Sequence, residues 1–69
     1  NTALTASSGV CTWTITNTLG TADVIVTVKE VATGDEVDTG VNTTDSTITI
    51  TINSETNITA DTYRAIIIG

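Results

Sequence analysis

Apolar and polar residues alternate with a period of two along five stretches of this chain. The cleanest runs from Thr47 to Asn53 and contains Thr47-Ile48-Thr49-Ile50-Thr51-Ile52. Successive side chains of a pleated strand point to opposite faces, so the isoleucines share one face and the threonines the other. The same alternation runs from Val10 to Asn17, where Cys11, Trp13 and Ile15 oppose Thr12, Thr14 and Thr16. Asp23 to Val31 sets Val24, Val26 and Val28 against Ile25, Thr27, Lys29 and Val31. Glu36 to Asn42 sets Val37, Thr39 and Val41 against Glu36, Asp38 and Gly40, which reads as a polar edge strand. Thr62 to Ile68 is apolar on both faces, with Tyr63, Ala65 and Ile67 on one and Arg64, Ile66 and Ile68 on the other. A strand of that kind is expected to be covered on both sides, by a second layer or by another subunit.

Turn chemistry separates the stretches. Leu19-Gly20, Ala32-Thr33-Gly34-Asp35, Thr43-Thr44-Asp45-Ser46 and Ser54-Glu55-Thr56-Asn57 break the alternation. Glycine and Asx residues supply the reversals. Ile58 is expected to pin the last polar loop to the core. No stretch has helical periodicity beyond a turn. The pattern predicts an all-β fold, a small antiparallel five-stranded sandwich or barrel-like sheet spanning residues 10–69. Residues 1–9 hold only one large apolar side chain, Leu4, and read as a linker or the end of a stalk.

Composition then narrows the class. A 69-residue chain buries only about 60 % of its unfolded surface, and such domains usually add disulfides, a metal or partner chains. Cys11 is the only cysteine and there is no histidine. That rules out an intrachain disulfide and leaves a poor ligand set for zinc. Oligomerisation is the remaining device. The net charge of −6, with Lys29 and Arg64 the only cations, disfavours nucleic acid and anionic membranes as partners. No apolar run approaches the roughly 20 residues that span a bilayer. The chain opens at Asn1 rather than a methionine and is expected to be a piece of something longer.

Candidate chemistry is sparse. The carboxylates fall mostly at turns, where Asp and Glu serve the backbone rather than a cleft. Cys11 alternates with Trp13 and Ile15 and reads as a buried, inert thiol. Trp13 and Tyr63, the only aromatics, alternate with apolar neighbours and are expected in the core rather than on a sugar-binding platform. Asn42-Thr43-Thr44 and Asn57-Ile58-Thr59 match the glycosylation sequon. A chain with 22 Ser or Thr and five Asn yields about one or two such matches by chance. No calcium-loop pattern occurs near Asp35 and Asp38. The expectation is no enzyme activity, no catalytic residue, no cofactor and no metal site. Arg64, on an otherwise apolar face, is expected to pair with a carboxylate or backbone carbonyls.

From Trp13-Thr14-Ile15-Thr16 onward the segments keep a recognisable order. Leu19-Gly20-Thr21 and Asp23-Val24-Ile25-Val26 come next, then Glu30 to Val37 and Thr44-Asp45. Thr62-Tyr63-Arg64-Ala65-Ile66-Ile67-Ile68-Gly69 closes the chain. This order resembles a small module at the C-terminus of tailed-bacteriophage fibre and other virion structural proteins. Such modules often carry His-Asn before the Leu-Gly, where this chain has Asn17-Thr18. The resemblance implies a non-enzymatic virion module, a fibre, knob or capsid decoration, located in the extracellular particle. It would work as a homo-oligomer, expected to be a trimer, with a host cell-surface glycan or other virion proteins as further partners. Arg64, Ile66 and Ile68, or Thr47, Thr49 and Thr51, are the candidate oligomer or surface contacts. Two alternatives come from other classes. One is a filament-forming protein polymerising through β-strand pairing; the other is a secreted carbohydrate-binding module.

Overall fold

The computed structural model describes all 69 residues, Asn1–Gly69. Five strands form, β1 Val10–Thr16, β2 Ile25–Glu30, β3 Gly40–Thr43, β4 Thr47–Asn53 and β5 Tyr63–Ile68. They make two antiparallel sheets, one ordered β1-β4-β3 and the other β2-β5. There is no helix, so the fold is all-β.

Register follows the alternation. Cys11 faces Ile52, Trp13 faces Ile50 and Ile15 faces Ile48, while Thr12, Thr14 and Thr16 face Thr51, Thr49 and Thr47. The β4 isoleucines therefore point inward as a set. Ile48 and Ile50 are fully buried, Ile52 nearly so, and Cys11 is fully buried beside them. The second sheet contributes Val28, with Val26, Ala65 and Ile67 packed against the core. Ile58 pins the loop after β4 as expected, and is buried.

The third stretch does not form the single strand that its alternation predicts. Its first part pairs with β2: Lys29 bridges Glu36, the Glu30 N–H donates to the Asp35 carbonyl, and the Val37 N–H donates to the Val28 carbonyl. Gly34 makes the reversal with φ +76°, a conformation that costs an L-residue about 1 kcal/mol or more. After Asp38 and Thr39 the chain crosses to the other sheet and pairs with β4 as β3. One stretch thus stitches the two sheets together and closes that flank of the sandwich.

The opening segment is not a free linker. Leu4 exchanges backbone hydrogen bonds with Ile58 at 2.9 Å in both directions, and its side chain is 8 % exposed within the core. Ser8 and Gly9, with φ of +52° and +81°, form the tight reversal that pairs Ser7 with Val10 and leads into β1. Leu4 supplies the buried anchor, and hydrogen bonds from the Asp61 N–H to the Asn1 carbonyl and from the Ala6 N–H to Asn57 Oδ1 hold the rest of a segment that shows no periodicity.

The last strand is covered on one face only. Tyr63, Ala65 and Ile67 turn inward, while Arg64, Ile66 and Ile68 are exposed. The second layer lies on the inner side, and nothing in the chain covers the outer one.

Candidate assembly surfaces

The flank opposite the strand crossing stays open. β1 ends one sheet and β5 ends the other, and between them runs a groove of about 550 Å³. Trp13 and Ile15 line one wall; Tyr63, Ala65 and Ile67 line the other. Trp13 and Tyr63 pack against the core, but both are only half-buried, because the seam they border is not filled. Both aromatics therefore border the core, where they were expected, and are partly exposed at the opening.

Both walls of the seam carry unpaired strand edges. The Asn17 N–H bonds the Ser46 carbonyl and the Ser54 N–H bonds the Gly9 carbonyl, which sets the phase of the β1–β4 ladder. In an antiparallel pair the inward- and outward-bonding residues alternate. Cys11, Trp13 and Ile15 therefore bond β4, and the N–H and C=O of Thr12, Thr14 and Thr16 point away from the sheet with no partner. On β5 the Val31 N–H to Thr62 carbonyl bond sets the phase, so Tyr63, Ala65 and Ile67 direct their backbone groups outward. Asn1 occupies the first of these positions. Its amino group donates to the Tyr63 carbonyl at 2.9 Å and its Oδ1 accepts the Tyr63 N–H at 2.8 Å. Ala65 and Ile67 have no such cap.

No protein-family model, curated protein or solved structure matches this chain.

The candidate contact residues divide between opposite sides of the sandwich. Thr47, Thr49 and Thr51 join Thr16, Thr14 and Thr12 in register, so six threonines tile the outer face of the β1-β4-β3 sheet. That face is neutral and hydrogen-bonding. The outer face of the other sheet is aliphatic. Ile25 stands opposite Ile68, and Ile66 opposite Thr27, with Ile25 67 % and Ile68 61 % exposed. Arg64 lies on that face as well, opposite Lys29. It is exposed, and no side-chain hydrogen bond or ion pair within the chain supplies the carboxylate or backbone-carbonyl partner expected for it.

The remaining chemistry-bearing groups do not converge. Nowhere do three or more Cys, Asp or Glu residues gather as a metal-binding group. Cys11 is a free, fully buried thiol whose Sγ lies 3.6 Å from the Thr56 carbonyl oxygen.

Asn17 was missed as a structural centre. It is the only buried polar residue, 6 % exposed. Its amide donates to the carbonyls of Thr21 and Thr44 at 2.8 Å each, and its Oδ1 accepts the Leu19 N–H at 3.0 Å. One side chain thus joins the turn after β1 to the turn before β4. The signal available in the sequence was an Asn two residues before the Leu19-Gly20 turn, the usual position for an Asx reversal.

Proposed function

We propose that this chain is a non-enzymatic structural module of a bacteriophage virion, a fibre, knob or decoration element, that works as a homo-oligomer. The virion placement rests on the resemblance carried by Leu19-Gly20-Thr21, Asp23-Val24 and the Tyr63-to-Gly69 ending. The observation that supports assembly is the size of the core. Only eight of 69 residues are buried, and neither a disulfide nor a metal-ligand cluster supplements them. A core that small returns little more than the entropy lost on folding, and partner chains are the means left to enlarge it. A half-open seam and an outer face with Ile25 and Ile68 largely exposed are what such partners would bury.

Light scattering across a dilution series tests the reading. A small fixed multiple of 7.1 kDa at micromolar concentration is the expected result. A monomer that persists at all concentrations would remove the assembly reading. Mass spectrometry of purified phage particles carrying the parent gene tests the virion placement, and absence of the chain from intact particles would sink it.

A second reading is a filament former that polymerises through strand pairing. It is favoured by the free edges β1 and β3 lying at opposite ends of one sheet, so that head-to-tail pairing would propagate without closing. Open-ended growth with concentration in the same dilution series would select it.

A further inference from the structure

We propose that a second copy of this chain closes the open seam, with the two β1 strands paired antiparallel about a twofold axis at Thr14. This rests on the homo-oligomer reading and names the surface it uses.

The backbone sets the kind of occupant. Thr12, Thr14 and Thr16 present unpaired N–H and C=O groups in a row, and only another extended strand satisfies such a row along its length. Charge sets whose strand it is. The chain carries −6, yet no charged side chain occurs before Asp23, so all of β1 is neutral. A second copy with the same −6 meets no like charge along this edge. Of the other edges, β5 is already capped at Tyr63 by Asn1, and β3 has only four residues and is flanked by Asp38 and Asp45. Two acidic copies repel each other there.

Register follows from which groups are free. Val10 already exchanges both of its outward bonds with Ser7. Centring the pair on Thr14 is then the arrangement in which Thr12, Thr14 and Thr16 all find partners, Thr12 against the partner's Thr16 and Thr14 against its own copy. The same register sets Trp13 directly opposite the partner's Ile15. Aromatic–β-branched and Thr–Thr pairs are both favourable across antiparallel strands. The inward faces of the two β1 strands then share one side of a continuous sheet, and the two half-open seams merge into a single core. Because β1 and β5 border the same flank, that flank meets its own copy, which makes the contact twofold and self-complementary rather than head-to-tail.

The test uses paired charges at exposed positions of the full chain. Thr12 and Thr16 are exposed, so substitution there leaves the core intact, and circular-dichroism melting of each variant verifies this. Thr12→Lys with Thr16→Lys sets like charges opposite each other twice across the twofold. Thr12→Lys with Thr16→Glu sets opposite charges at the same places. Sedimentation velocity across a dilution series should show a dimer whose dissociation constant rises roughly tenfold or more in the Lys/Lys variant and is kept or lowered in the Lys/Glu variant. Trp13 emission should shift red as the wild-type dimer dissociates. An oligomer untouched by both variants, one weakened equally by both, or a trimer would overturn this contact and leave the homo-oligomer reading standing. A wild-type chain that stays monomeric would overturn both.

Discussion

Lys29 and Arg64, the only two cations in the chain, stand directly opposite each other across β2 and β5. Glu36 lies on the other side of Lys29 in the same cross-strand row. Like charges opposite each other destabilise a strand pair by a few tenths of a kcal/mol, and an opposite pair stabilises it by about as much. Arg64→Glu therefore converts the row to acid–base–acid and is expected to raise stability by roughly 0.5–1 kcal/mol, measured by urea denaturation. Added salt should shrink the gain. A loss of stability would mean that Arg64 holds a contact the isolated chain does not show, as its sequence setting first suggested.

Asn17 satisfies two carbonyls and one N–H that have no other partner nearby. Asn17→Ala leaves those groups in a site only 6 % exposed, which costs about 1–3 kcal/mol. For a domain this small the melting temperature should fall by roughly 5–15 °C. Asn17→Asp should be at least as damaging, because a carboxylate faces the Thr21 and Thr44 carbonyls where an amide donated. Unchanged melting in both variants would show that water replaces the side chain.

Repeated pattern was legible in the sequence, and solitary contacts such as those of Asn17 were not. Period-two alternation located β4 at Thr47–Asn53 to the residue and assigned its inward isoleucines correctly, because alternation reports which face a side chain takes. It does not report which strand is the neighbour. The run from Glu36 to Asn42 keeps one phase throughout, yet its start pairs with β2 and its end with β4. The change of sheet at Asp38 and Thr39 leaves no mark on the pattern. The open seam was hidden for a related reason. Trp13 and Tyr63 were readable as inward-facing, but whether two sheets meet at a given flank depends on connections made elsewhere, here by the stretch that pairs with β2 and then with β4 on the opposite side. Asn17 and Leu4 were hidden because each acts alone, outside any repeat.

Leu4 gives the opening segment a measurable role. It is buried against Ile58 with the segment's backbone bonded on both sides. Leu4→Ala should destabilise the domain by about 2–4 kcal/mol, within the range for truncating a buried leucine. Thr5→Ala, at an exposed neighbour, should change stability by less than about 0.5 kcal/mol. Equal and small effects at both positions would restore the segment to a linker.

Cys11 reports on the β1 strand without any added probe. Its thiol is fully buried, one residue before the free edge at Thr12. A disulfide reagent can reach it only when β1 opens, so the native rate equals the denatured rate scaled by the fraction open. An opening free energy of about 4 kcal/mol would slow labelling roughly a thousandfold relative to chain in urea. If the β1 edge is buried by a second copy, opening must also break that contact, and labelling should slow further as protein concentration rises. A rate that is slow but independent of concentration would place β1 in a stable monomer. A rate close to that of the denatured chain would show that β1 frays, and that its Ile48–Ile15 and Ile50–Trp13 pairs do not hold the sheet closed by themselves.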